Sequence, residues 1–178
     1  MGYATEEDAM IVPIPQMSRR LAQRFSRHQP NPEKAEQIFN NTLAVLVVND
    51  FVQMLGIETD LLSSDSWNSV IRLVANVADL SILNLGKLEC RAVKVGASTC
   101  SIPLEVWFDR IGYVIVEFDD FFKEGKLLGF LPQVTTTEIP LCQLQPLDVL
   151  LDHLTQLQTQ PQESLLLEHF AKRPLDES

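Results

Sequence analysis

The sequence predicts an α+β fold in which N-terminal helices pack on an antiparallel β-sheet and one helix follows at the C-terminal end. Three observations lead to this prediction. An apolar helix is expected over about residues 32–55, alternating strand patterns begin near residue 79, and helical spacing returns over about residues 146–157.

The length of 178 residues fits one domain with a substantial core, which we place at residues 13–157. Residues 1–12 begin with a polar and acidic stretch, so a flexible N-terminus is expected there. Residues 158–178 follow a glutamine-rich boundary and are expected to form a tail that is partly helical or mobile.

The chain enters the domain through residues 11–15, an apolar segment with two prolines that suits the edge of a sheet. Ser18 is then expected to cap a short amphipathic helix. Leu21, Ala22 and Phe25 of this helix face inward, and its basic residues fall on the outer side.

The helix over residues 32–55 is expected to be the central element. Asn31 can cap its first free amides, and Gly56 provides a left-handed stop after its last turn. Two apolar stripes run between these signals, so the helix should be covered on more than one side. The stripes consist of Ala35, Ile38, Phe39, Thr42 and Leu46, and of Leu43, Val47, Phe51, Met54 and Leu55.

A third helix is expected after an acidic connection, with Ser64 or Asp65 as its cap. Its apolar residues at helical spacing are Trp67, Val70, Ile71 and Val74.

A β-hairpin is predicted next, because apolar and polar residues alternate on both sides of a turn at residues 84–86. The alternation places Lys87, Glu89 and Arg91 on the solvent face.

Residues 111–118 form the strongest predicted strand, since their apolar run is almost continuous and indicates cover on both faces. Residues 126–131 return beside it as an antiparallel partner after a short charged turn. Pro146 then opens the last helix, in which Leu147, Leu150, Leu151 and Leu154 share one face.

The net charge of −10 argues against nucleic acid as a partner. Basic residues nevertheless concentrate between residues 18 and 34, where a solvated helix face is the favoured interpretation and contact with an acidic partner is the alternative. No apolar stretch is suited to spanning a membrane, no signal peptide is recognised, and three cysteines are scattered. We therefore expect a cytoplasmic protein without membrane contact.

No catalytic, cofactor-binding or metal-binding residue is predicted. The sequence contains no glycine-rich phosphate loop, no nucleophile elbow and no cysteine–histidine metal spacing, so an enzyme is not expected. Cys100 lies in a loop-rich stretch and is the cysteine to test for thiol reactivity.

An interaction surface is predicted just before the strongest strand. Trp107 and Phe108 are adjacent, so one of them points outward in an extended chain, and Arg110 lies close by. An ion pair between Asp109 and Arg110 either holds this segment in place, which is the favoured interpretation, or recognises the charge of a partner. The predicted surface comprises Trp107, Asp109, Arg110 and Tyr113, together with Arg20, Arg24 and Arg27.

The sequence contains five short motifs that together form a pattern specific to one family. They are GIETDL, SDSWN, GKLECRAV, VWFDRIGYV and LLGFLP. They resemble an uncharacterised cyanobacterial family known as a domain of unknown function, over about residues 14–154. The resemblance implies no activity and no catalytic residues. It points to signalling or stress regulation only through neighbouring genes for sigma factors and caspase-like proteases.

The sequence thus favours a non-enzymatic protein-interaction or regulatory module whose protein partner is unidentified, and it leaves a homo-oligomer open. The alternative is a small-ligand-binding protein or enzyme with a pocket near Asp109, Arg110 and Glu117. A pocket lined by these three side chains distinguishes the two hypotheses.

Overall fold

The computed structural model describes residues 2–171, with side chains described for residues 2–159. This part of the chain forms four helices and eight strands, together with short 3₁₀ turns. In chain order they are β1 (Met10–Pro13), α1 (Gln16–Ser26), α2 (Pro32–Met54), β2 (Thr59–Asp60), α3 (Ser69–Val74), β3 (Asp79–Ile82), β4 (Gly86–Lys94), β5 (Thr99–Ser101), β6 (Gly112–Phe118), β7 (Glu124–Leu131), β8 (Glu138–Pro140) and α4 (Leu147–Ala171).

The predicted α+β class is confirmed, with α2 as the central helix. The Asn31 side chain accepts hydrogen bonds from the N–H groups of Glu33 and Lys34, at 2.9 and 3.4 Å. Gly56 has φ +78°, which only glycine adopts without strain. The middle of both apolar stripes is buried, whereas Met54 and Leu55 at the end of the helix are exposed.

Six strands form one sheet in the order β1-β7-β6-β4-β3-β2. The sheet is mixed rather than wholly antiparallel, because β4 and β6 run parallel from the pair Leu88–Gly112 to the pair Lys94–Phe118. A parallel pair needs a long connection, and residues 95–111 provide it by leaving the sheet to form β5 and a 3₁₀ turn.

Both faces of the sheet are covered, as predicted for the strand around residues 112–118. One face packs on α2 and α4, with Leu80, Val114 and Leu150 among the buried residues. The opposite face carries a second core, which includes Ile102, Val106 and Tyr113. The antiparallel pair β5–β8 covers this second face.

Two predictions about helix starts are wrong. Helix α1 begins at Gln16 with Pro15 as its N-cap, so Ser18 lies inside the helix instead of capping it. Helix α3 is capped by Asn68, whose side chain accepts from the N–H groups of Val70 and Ile71.

The segment before α3 is a separate 3₁₀ turn, Asp65–Trp67, because a buried carboxylate fixes it. The Asp79 side chain accepts hydrogen bonds from the N–H groups of Asp65 and Ser66, at 2.9 and 2.7 Å. The helix that follows is only six residues long, and its Val70 and Val74 are exposed rather than buried.

Helix α4 starts at Leu147 as predicted but runs to Ala171, past the expected end near residue 157. Leu147, Leu150 and Leu154 are buried, and the rest of the predicted tail, residues 172–178, lies outside the described residues. At the other end of the chain, β1 pairs with β7 from Met10 onward, before the predicted domain start at residue 13. Across residues 2–171, no helix has the length and apolar character that a membrane span requires.

Candidate functional site

The most unusual feature of the interior is a buried charge cluster formed by Asp79, Glu89, Arg91 and Arg110. Glu89 is 0% exposed. Its Oε1 accepts from Arg91 Nη1 at 2.8 Å and from the Ala78 N–H at 2.9 Å, and its Oε2 accepts from Arg110 Nε at 2.8 Å. One carboxylate therefore joins two guanidinium groups on the sheet face opposite α2.

Arg91 connects this cluster to the central helix. Its Nη2 donates to the Asn76 side-chain oxygen at 2.7 Å, and Asn41 on α2 donates to the same oxygen at 2.9 Å. The Asn76 N–H donates to Glu105 Oε1 at 3.0 Å. Helix α2, strand β4 and the 3₁₀ turn around Glu105 are thus held together by one polar network.

A second, half-buried ion pair borders the cluster. Lys87 Nζ lies 2.9 Å from Asp65 Oδ2 and 3.7 Å from Asp109 Oδ2. The hydrogen bond to Asp65 raises the pKa of Lys87 despite its partial burial. Lys87 is therefore a partner of the polar network instead of a freely solvated lysine.

The electrostatic balance of Arg110 follows from its pairing. Burial alone lowers the pKa of this guanidinium, but the Glu89 carboxylate and its hydrogen bond outweigh burial, so the pKa is raised. Across residues 2–159, every buried side-chain nitrogen and oxygen atom has a hydrogen-bond partner. The donors and acceptors of the buried charge cluster are therefore paired within the protein, as is typical of charged groups that have a structural role.

The prediction of a solvent face for Glu89 and Arg91 is wrong. Alternation identifies two faces of a strand but not which of them meets water. A related signal lay in the neighbouring strand, since residues 111–118 were predicted to be covered on both sides. The structure links that signal to β4 by pairing it with β6, which places Tyr113 and Ile115 on the same face as Glu89 and Arg91. A strand that pairs with β6 therefore shares its second core.

Two of the predicted surface residues are interior. Tyr113 is 1% exposed, and its hydroxyl donates to the Val106 carbonyl at 2.7 Å. Burial raises the pKa of Tyr113 to about 12. Arg110 is held by Glu89, so neither side chain can contact a partner as the sequence suggested.

Trp107 and Asp109 take different positions from those expected. Trp107 is half-buried and donates from Nε1 to the Ile102 carbonyl at 3.2 Å, whereas Phe108 beside it is 81% exposed. Asp109 has φ +61°, its side chain is 83% exposed, and it lies near Lys87 instead of pairing with the Arg110 side chain.

The three residues of the alternative pocket do not meet. Asp109 faces solvent and Arg110 pairs with Glu89, while Glu117 lies in β6 opposite Lys126 of β7. The cavities described below are lined by other residues. No group of three metal-ligating side chains lies together in the described part of the chain.

Cys100, the cysteine singled out for a test of thiol reactivity, is buried, and burial raises the pKa of its thiol to about 11, so its position does not favour reactivity. Cys142 is the exposed cysteine, and Cys90 is buried like Cys100.

Arg20 and Arg24 are exposed on α1, and Arg27 is exposed at its C-cap with a helical backbone, at a spacing that places all three on one face. Within the described residues none of the three makes an ion pair. The inner side of α1 is fixed by aromatic packing: the Phe25 ring lies edge-on to Trp67 at 5.4 Å, and the Arg72 guanidinium stacks 3.7 Å from the Phe25 ring centre.

Two adjoining cavities lie where the parallel strands β4 and β6 end, and we call them the β4–β6 cleft. Both are lined by Lys94, Asp119 and Asp120. The smaller, about 150 Å³, reaches α2, and the larger, about 460 Å³, is more open and is bordered by Val95 and Phe121.

Comparison with known proteins returns one family. Neither a curated protein nor a solved structure matches the sequence. The model of the family described as protein of unknown function, DUF1822, matches residues 12–175. Because this match spans most of the 178 residues, the chain belongs to the DUF1822 family.

Proposed function

We propose that this protein is a non-enzymatic, regulatory interaction module that binds an acidic segment of a partner protein through the basic face of α1. One observation carries the proposal. Arg20, Arg24 and Arg27 share an exposed helix face and have no carboxylate partner in the described residues. Arginine forms bidentate pairs with carboxylates, so this face is suited to an acidic peptide.

The position of α1 supports a preorganised surface. Ala22 is fully buried, and the stack of Arg72, Phe25 and Trp67 holds the C-terminal half of the helix. The backbone that carries the arginines therefore needs no rearrangement when a partner binds.

The charge of the whole protein makes this face selective. With a net charge of −10, most of the surface repels an acidic segment, and the α1 face is the local exception. Exposed ion pairs contribute only about 0.2–1 kcal/mol each, so binding by three arginines should be modest and salt-dependent. Met17, exposed one turn before Arg20, offers an apolar contact beside the charges.

A cytoplasmic location fits the same proposal, since none of the three cysteines is in a disulfide. A regulatory role would follow from a weak and reversible contact of this kind.

The test is cross-linking and affinity purification from the source cells with the full-length chain. We expect the wild type to recover a partner whose cross-links map to α1 and to a segment rich in aspartate and glutamate. Arg20→Ala/Arg24→Ala should lose that partner. Lys94→Ala/Lys123→Ala removes the same charge from another exposed region and should retain the partner whose cross-links map to α1.

Two outcomes contradict the proposal. One is an arginine variant that recovers the same partners as the wild type. The other is binding of duplex DNA with an affinity that falls steeply with salt and depends on the same arginines, which would make α1 a nucleic-acid surface.

A further inference from the structure

The β4–β6 cleft combines a cavity, exposed apolar groups and unpaired acids at the carboxyl ends of the parallel strand pair. This edge of a sheet is where ligands bind in many folds that contain parallel strands. Asp119 and Asp120 follow β6 directly, and Lys94 ends β4. The cleft shares no residue with the basic face of α1.

The charges of the cleft leave a negative excess. Lys94 Nζ lies 3.4 Å from Glu36 Oε1, so the lysine is already paired. Asp119 and Asp120 are exposed and make no ion pair among residues 2–159. Even when Lys123, whose ammonium lies near the Phe121 ring, is counted, these two acids outnumber the unpaired lysine, and together with the net charge of −10 this arrangement attracts a cation into the cleft.

The apolar part of the cleft is an aromatic ring that faces solvent. Phe121 is 74% exposed and Val95 is 64% exposed, and both border the larger cavity. The Lys123 ammonium lies 5.8 Å from the centre of the Phe121 ring, within the range at which a ring face attracts a cation.

The loop that presents Phe121 is held from both sides. Asp119 Oδ1 accepts from the Phe121 N–H at 3.2 Å, which forms a tight local turn. The next residue, Phe122, packs edge-on against Phe39 of α2 at 5.0 Å. Phe122 anchors the loop to the core, and Phe121 is left on the outside.

We propose that the β4–β6 cleft binds an arginine side chain carried by a peptide segment of a partner protein. The guanidinium stacks on Phe121 and donates to Asp119 or Asp120, while an apolar neighbour of the arginine lies against Val95. Arginine fits better than lysine because its planar group stacks on a ring and donates to carboxylates at the same time.

The experiment is a titration of the ¹⁵N-labelled full-length protein with the acetylated and amidated peptide Gly-Arg-Leu-Arg-Gly at low ionic strength. We expect saturable shifts of the amides of residues 94–95 and 119–122. Asp119→Asn/Asp120→Asn keeps the turn acceptor at position 119 and should weaken binding about tenfold. Phe121→Leu should weaken it about threefold through loss of the ring face.

A matched control separates the cleft from the overall charge. Asp148→Asn/Asp152→Asn removes the same charge from two exposed residues on α4 and should leave the affinity within about twofold. Dispersed amide spectra of all variants show that each is folded.

Three results overturn the proposal. The first is that the cleft variant and the α4 control weaken peptide binding equally, which means that the peptide is attracted by the overall charge of the protein and not by the cleft. The second is binding of spermidine at the same residues as tightly as the peptide, which means a small-cation site. The third is that the wild-type protein self-associates in analytical ultracentrifugation and the Arg20→Ala/Arg24→Ala variant does not, which means that α1 of a second copy occupies the cleft.

Discussion

Replacement of Glu89 by glutamine should destabilise the protein strongly, although the two side chains have nearly the same shape. Donors approach both carboxylate oxygens: Arg91 and the Ala78 N–H on one side, and Arg110 on the other. Whichever way the amide is turned, its NH₂ group faces a donor. The substitution also leaves the two buried guanidinium groups with Asp79 as the remaining carboxylate of the cluster, so one positive charge is no longer balanced.

The expected cost is about 3–5 kcal/mol of the free energy of unfolding, as for removal of one partner from a buried ion pair. A domain of this size has a total stability of about 5–15 kcal/mol, so the variant should be marginal at 37 °C. The exposed Glu124→Gln on β7 serves as the control and should change stability by less than about 0.5 kcal/mol.

Urea unfolding followed by circular dichroism measures these differences. A triple variant, Glu89→Leu/Arg91→Leu/Arg110→Met, removes the Glu89 carboxylate together with both of its guanidinium partners. It leaves Asp79 hydrogen-bonded to the turn at residues 65–67 and should recover much of the stability lost in Glu89→Gln. A cost below about 1 kcal/mol for Glu89→Gln would refute the account of Glu89 as the shared partner of both arginines.

Three further predictions concern single side chains. Cys142 should react quickly with an aromatic disulfide reagent, whereas Cys90 and Cys100 should react only when the protein unfolds. The reason is that burial raises the pKa of both buried thiols. Fast reaction of all three thiols in the folded protein would contradict this burial. Burial also raises the pKa of Asp50, so its folded form holds a proton more readily than the unfolded chain and stability falls as pH rises above the ordinary carboxyl range. Asp50→Asn should therefore raise the midpoint of thermal unfolding at pH 7, and this gain should disappear near pH 3. A lower midpoint at pH 7 would contradict the prediction. Tyr113→Phe removes the hydroxyl that donates to the buried Val106 carbonyl, so the free energy of unfolding measured in urea should fall by about 1–3 kcal/mol. An unchanged urea midpoint would show that this hydrogen bond contributes nothing to stability.

The elements that the sequence predicted well are those whose signals are local. Asn31 and Gly56 mark the two ends of α2 because a cap and a left-handed stop depend on a few neighbouring residues. The apolar run at residues 111–118 likewise identified a strand covered on both faces, because a nearly continuous apolar composition is typical of such strands.

The elements that were wrong depend on residues distant in the chain. Asp79 accepts from the turn at residues 65–67 and separates it from α3, although the nearer of these residues lies 13 positions away. The cover of β4 by β5 and β8 decides that Glu89 is interior, and alternation along β4 contains no information about that cover.

The sequence by itself determined the fold class, the central helix, the most buried strand and the basic character of α1, because cap chemistry, apolar periodicity and charge are properties of a short stretch of chain. Only the tertiary structure decided that both faces of β4 are covered, that β4 and β6 run parallel, and which charged groups remain unpaired. Those outcomes depend on which segments meet in space, and pairing between Glu89 and Arg110, 21 residues apart, has no local signature.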